Sequence, residues 1–172
     1  ACVLREVESS DLERLRALRN AADNRRWFFD PSPVTEEQQL AWFNRYLADE
    51  GDVLYVIEGD GRPVGTLGLA SIDRRQGTAE LGRMLVESGA RRRGWARKAV
   101  GILLDYAFGT AGLHRVFVEL QEENSAARAL FRSCGFEEEG VLRAALVVDG
   151  RRTNKVVLAA LNRSTVPGAP RA

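Results

Sequence analysis

The sequence predicts one mixed α/β domain, of the α+β kind, built on a largely antiparallel sheet of about seven strands. Three observations predict it. The chain has 172 residues, the size of a single domain that can bury a core without disulfides or a metal. Short runs rich in Val, Ile, Leu and Phe are bounded by Gly and Asp turns. Between some of them lie longer stretches with helical apolar spacing and recognisable start signals.

Residues 2–7 read as a short first strand. Ser10-Asp-Leu-Glu13 has the form of a capping box, and Leu12, Leu15 and Leu18 then share a helical face to about Asn20. Residues 21–34 carry Trp27, Phe28, Phe29 and two prolines and read as a loop. Thr35-Glu-Glu-Gln38 is a second capping box, opening a helix with Leu40, Phe43 and Leu47 on one face and Trp42 and Tyr46 beside it. Runs 53–58, 63–72 and 78–86, separated by turns, predict an antiparallel meander. Residues 94–111 give the longest helix, with Trp95, Ala99, Ile102, Leu103 and Tyr106 on one face. A strand at 114–120 follows, then a helix at 124–134 stopped by Gly135. Runs 141–148 and 151–161 flank Asp149-Gly150, a strong hairpin signal. The domain therefore covers 1–162, and the tail 163–172 is expected to be disordered.

Composition narrows the classes of function. Hydrophobic residues make up 45% and charged residues 28%, which excludes a disordered chain or a coiled-coil rod. No apolar run approaches the ~18 residues of a membrane span and no signal peptide is seen, so a cytoplasmic protein without membrane contact is expected. Cys2 and Cys134 lie far apart, as in a reducing compartment, and one His with two Cys is too few for a zinc site. A net charge of +1 gives no sign of a nucleic-acid partner. Lysine occurs only at Lys98 and Lys155, so arginine carries nearly all the positive charge.

Three of those arginines mark the first functional signal. Arg91-Arg92-Arg93-Gly94-Trp95-Ala96 runs from a predicted strand into the longest helix. First-turn amides lack intrahelical partners, the helix dipole is positive there, and a glycine lets an anion approach the backbone. Neither a Walker loop nor a dinucleotide fingerprint is present. A solvated basic helix start is the competing reading.

Arg91-x-x-Gly94-x-Ala96 resembles the pyrophosphate loop of the GNAT superfamily of acetyl-CoA-dependent N-acetyltransferases. Thr78-Ala-Glu-Leu-Gly-Arg-Met-Leu-Val86 is similar to the strand before that loop. Asn124-x-x-Ala127-x-x-Leu130-Phe131-x-x-x-Gly135-Phe136 is similar to the family's second motif. Glu139-Gly-Val-Leu-Arg143 and Asp149-Gly150 resemble the subgroup of ribosomal-protein, polyamine and amino-sugar acetyltransferases. The resemblance spans 1–162. It implies helices on both sheet faces, strands that splay around the long helix, and a cofactor cleft for acetyl-CoA between them. It further implies that the backbone of Met84, Leu85 and Val86 pairs with the cofactor arm. Residues Arg91, Arg92, Arg93, Gly94, Trp95 and Ala96 would hold the pyrophosphate, and Asn124, Ala127 and Phe131 would complete the site. For Asn124 a plain helix N-cap is an equal alternative.

Acetyl transfer needs an unprotonated amine, and alkyl amines have a pKa of about 10. Glu80 is the candidate base, on a strand face expected to be shared with Gly82 and Met84 and opposite Leu81 and Leu85. The alternative is a cross-sheet pair with an arginine. Glu119 is the next candidate. Family members often carry a tyrosine where Phe131 stands, as the acid for the leaving thiolate, and phenylalanine cannot donate a proton. Cys134 is a weak substitute, and His114 reads as structural.

The acceptor is expected to be a small-molecule primary amine. Asn24, Arg25, Trp27, Phe28 and Trp42 resemble the acceptor wall of enzymes acetylating nucleotide-linked amino sugars. A protein N-terminus, a polyamine or an antibiotic are the alternatives, and a non-enzymatic acetyl-CoA-binding regulatory domain is the outlying one. A monomer or homodimer is expected.

Overall fold

The computed structural model describes residues 1–164; the remainder of the predicted tail lies outside them. The strands are β1 (Cys2–Glu6), β2 (Val53–Gly59), β3 (Arg62–Asp73), β4 (Thr78–Val86), β5 (Arg115–Gln121), β6 (Glu137–Val148) and β7 (Arg151–Leu161). The α-helices are α1 (Leu12–Asn20), α2 (Ala22–Arg25), α3 (Glu36–Tyr46), α4 (Trp95–Asp105) and α5 (Ser125–Ser133). The seven strands form one sheet in the order β1-β2-β3-β4-β5-β7-β6, antiparallel except for β4–β5.

Both faces are covered. On one, Ile57, Leu67, Leu69, Leu81, Val116, Val118, Val156 and Leu158 pack under α4 and α5. On the other, Val7, Leu54 and Val56 pack against Leu15 of α1 and Phe43 of α3. Asp149 (φ 49°) and Gly150 (φ 74°) make the tight β6–β7 turn, as their sequence requires.

Several local expectations change. The Ser10–Glu13 box does not form, because Asp11 is buried and ion-paired to Arg5 at 2.7 Å. Its carboxylate instead accepts the Glu8 amide at 2.8 Å, which starts a 3₁₀ turn at Ser9–Asp11 ahead of α1. The Thr35–Gln38 box forms as read. In α3 the buried side is Gln39 and Phe43, with Trp42 and Tyr46 half-buried, while Leu40 and Leu47 are 52% and 66% exposed. The aromatic trio wins that face: Trp42, Phe43 and Tyr46 stack, and the Tyr46 hydroxyl accepts the Leu54 amide. The long helix is α at Trp95–Asp105 and widens to a π turn at Tyr106–Thr110. Val100, Leu104 and Ala107 lie in its buried stripe, and Ile102 and Tyr106 at its exposed edge. Residues 21–34, read as a loop, contain the short helix α2.

Candidate active site

The site begins where β4 and β5 part. They pair at Thr78↔Arg115, Ala79↔Val116 and Glu80↔Phe117, and the described pairing ends there. Beyond that point β4 runs on to Val86 and β5 to Gln121, leaving facing edges open. β4 also bulges. Thr66 pairs with Leu85 and Gly68 with Gly82, so two steps on β3 oppose three on β4. Arg83 takes up the extra residue at φ 50°, and the Thr66 hydroxyl donates to its carbonyl at 2.8 Å.

This bulge overturns the simple alternation expected for the strand. Glu80 and Gly82 share the α1/α3 face, but after the bulge Leu85 joins that face opposite Thr66. Met84 and Val86 turn to the core under α4. A period of two holds only while the register does.

After β4, a 3₁₀ turn at Ser88–Ala90 leads into the arginine run. Gly94 sits at φ 80° before α4, with open space where a Cβ would stand. The Lys98 amide bonds the Gly94 carbonyl at 3.1 Å, so the amides of Trp95, Ala96 and Arg97 precede the helical ladder. Arg92 and Arg93 are exposed beside them. The exposed Arg91 guanidinium pairs with Asp23 at 2.6 Å, Asn24 Oδ1 at 2.6 Å and the Val86 carbonyl at 3.2 Å. The Trp95 side chain is buried against Gly59, so only its backbone faces the loop. The open β4 edge, the unladdered amides and the two exposed arginines fit acetyl-CoA, with its amide-bearing arm and pyrophosphate.

Glu80 lies at the parting of the strands. Burial pushes its carboxyl up, and the Glu119 carboxylate pushes the same way, while Lys155 and Arg83 oppose it. Glu119 is itself held by Lys155 at 2.7 Å, whose ammonium lies 5.0 Å from the centre of the Phe29 ring. The cross-sheet alternative for Glu80 is not what forms: Arg83 is committed to Asp52, its Nη1 at 2.6 Å from the carboxylate.

Asn124 caps α5, its Oδ1 accepting the Ala127 amide at 3.2 Å. Ala127 packs on the core, and Phe131 is 2% exposed with its ring on Phe136. The Phe131 side chain is thus a core residue rather than a lining of the cleft. The Cys134 thiol is half-buried and pushed up by that burial, which makes it a poor thiolate source. His114 precedes the paired end of β5 and packs against Gly77, away from the parting.

A cavity of about 450 Å³ opens on the α1/α3 face of β4. Its walls include Phe28, Trp42, Arg19, Gln39, Arg83 and Leu85. Of the predicted acceptor residues, Phe28 and Trp42 line it. Asn24 does not: it is buried, bonding the Leu18 carbonyl and Arg91. Arg25 and Trp27 are half-buried on the same segment but off the cavity wall. Arg19, Arg83 and Gln121 were not foreseen. The Arg19 guanidinium lies 3.7 Å from the Phe28 ring centre and donates to the Asp30 carbonyl at 2.7 Å. Buried Gln121 donates to the carbonyls of Arg26 and Phe28, each at 3.0 Å. The positive φ of Arg83 and the partners of Gln121, nearly a hundred residues away, leave no local signal.

A sheet parted in this way, with an anion cradle at one lip and a carboxylate at the fork, defines a class: a CoA-dependent acyltransferase. The model of the acetyltransferase (GNAT) domain matches residues 2–137, and the chain belongs to the GNAT family as an acetyl-CoA-dependent N-acetyltransferase. It is 27% identical to the spermidine N(1)-acetyltransferase of Escherichia coli K12 over 153 residues, 89% of this chain and 82% of that one. To the Vibrio cholerae spermidine N(1)-acetyltransferase it is 29% identical, covering 86% of each. The solved structure of the Vibrio cholerae spermidine N-acetyltransferase with CoA and spermine superposes with a TM-score of 0.86 at 25% identity, over 93% of this chain and 95% of that one. No helix among the described residues is long and apolar enough to cross a membrane.

Proposed function

We propose that this enzyme acetylates a primary amine of a small molecule by direct attack in a ternary complex, and that the acceptor is a polyamine of the spermidine kind. The observation that carries the chemistry is Glu80 at the fork of β4 and β5, on the sheet face that the cavity occupies. When bound, acetyl-CoA supplies the acetyl group as an activated thioester. The alkyl ammonium of the acceptor has a pKa of about 10 and must lose a proton before attack. Glu80 takes it, directly or through one water; its raised pKa makes it a stronger base than an ordinary carboxylate. The edge of Met84, Leu85 and Val86 pairs with the cofactor arm. The amides of 95–97, with Arg92 and Arg93, hold the pyrophosphate. No acid from α5 is needed, since a thiolate is a good leaving group.

The polyamine reading is supported by the spermidine acetyltransferases among the relatives. The nucleotide-linked amino sugar expected from the sequence finds no such support there. A second acceptor reading, an amine on a body carrying negative charge, is favoured by Arg19 in the cavity wall, whose guanidinium meets a backbone carbonyl and the Phe28 ring. A competition assay with spermidine, a nucleotide-linked amino sugar and an Ala-initiated peptide decides, read by thiol release. Preference for spermidine is expected. Turnover of the amino sugar alone selects the second reading, and turnover of the peptide alone sinks both.

A further inference from the structure

We infer that Arg91 and Gln121 are positioning residues that hold residues 22–30 as a strap across the parted strands, so that the cofactor loop and the acceptor wall are one mechanical unit. Arg91 stands beyond the end of β4 and Gln121 at the end of β5, on opposite arms of the fork. Arg91 grips the strap's first half through Asp23 and Asn24. Gln121 grips its second half through the carbonyls of Arg26 and Phe28. Asn24 adds a third anchor, its amide donating to the Leu18 carbonyl at 2.9 Å, at the end of α1.

The strap is therefore tied to both arms and to the helix behind it. Phe28 and Asp30, its far end, line the acceptor cavity, and Arg19 bridges them from α1. Asn24 and Gln121 are buried at their tethers, and the loss of a buried bond is felt most. Arg91 is the first residue of the pyrophosphate-loop motif, yet its donors go to Asp23 and Asn24 of the strap and to the Val86 carbonyl. Its work is to set where Phe28 stands, and Gln121 does the same from the other arm.

Two measurements test this. Hydrogen exchange over residues 22–30, read by mass spectrometry, needs no acceptor. Arg91→Met and Gln121→Leu should each speed exchange there, with Arg91→Lys, which can still meet Asp23, intermediate. The kinetic arm rests on the polyamine reading and uses spermidine. Arg91→Met and Gln121→Leu should raise its KM roughly tenfold, the scale of one lost charge-assisted or buried bond, while the acetyl-CoA KM changes less than about twofold. Unchanged exchange in both variants overturns the strap. So does a raised acetyl-CoA KM with an unchanged acceptor KM for Arg91→Met, which would make Arg91 a phosphate ligand. Faster exchange in variants of an enzyme inert toward spermidine keeps the strap and removes the polyamine reading.

Discussion

Gly59→Ala should loosen the cofactor helix from beneath. A Cβ built on Gly59 would lie 2.7, 2.9 and 3.0 Å from Cε2, Cδ2 and Cζ2 of Trp95. Carbon atoms rest at about 3.5–4.0 Å, so the indole must retreat by roughly 1 Å. It has little room, being 5% exposed, and it is the first residue of α4, whose opening amides face the cofactor loop. Overpacking of this kind costs about 1–3 kcal/mol. At about 2–4 °C per kcal/mol for a domain of this size, Tm should fall by about 2–12 °C. The acetyl-CoA KM should rise roughly tenfold, since misplacement near 1 Å can cost up to about a hundredfold. Gly101→Ala, on the same helix with open space and no positive φ, is the control of opposite sign. It should gain about 0.5–1 kcal/mol. Differential scanning fluorimetry and thiol-release kinetics read both variants. If Gly59→Ala keeps the parent Tm and acetyl-CoA KM, the ring is not a clamp and the argument fails.

Glu80→Gln should lower kcat about 10²-fold with acetyl-CoA affinity nearly intact, and full activity across pH 6–9 would remove the base. Because the charged form of Glu80 is the active one, kcat/KM should fall as pH drops through its raised pKa. Glu119→Gln removes a like charge and should move that limb to lower pH, whereas Lys155→Met should move it higher; shifts of the same sign in pH-rate profiles would contradict the arrangement. Arg92→Glu with Arg93→Glu should weaken acetyl-CoA binding at least roughly tenfold by calorimetry, and unchanged affinity would leave the pyrophosphate to the amides alone. Phe131→Ala should cost about 3–5 kcal/mol by denaturant melts, as for a core ring, without adding or removing a limb in the pH profile.

The sequence shows its elements wherever the cause is local. Thr35 and Gln38 are three residues apart, so their box is legible; Asp149-Gly150 carries its own turn. Ser10 looked equally good and lost because Arg5 captures Asp11, a competition invisible in a four-residue pattern. The split of β4 into two faces failed at Arg83 for a related reason: a bulge is decided by the register against β3, not by the strand that bulges. The candidate site divides the same way. Gly94 and the helix start were readable from chemistry that a helix end always presents. The roles of Arg91, Asn24 and Gln121 depend on segments that meet only once the sheet has folded.

The three rungs between β4 and β5 also bear on how the protein survives without its cosubstrate. As a folding problem the domain is two half-sheets, β1 to β4 and β5 to β6, sharing a short parallel seam. Parallel pairing is the weaker kind and forms only after a long crossover has closed. An open inner strand edge is moreover a template for foreign strands. A molecule that pairs with that edge acts as an eighth strand, and its concentration becomes a stability variable. At a hundred times its Kd it would add about 2.7 kcal/mol to the folded state. The level of acetyl-CoA would then govern how long this enzyme lasts as well as how fast it works.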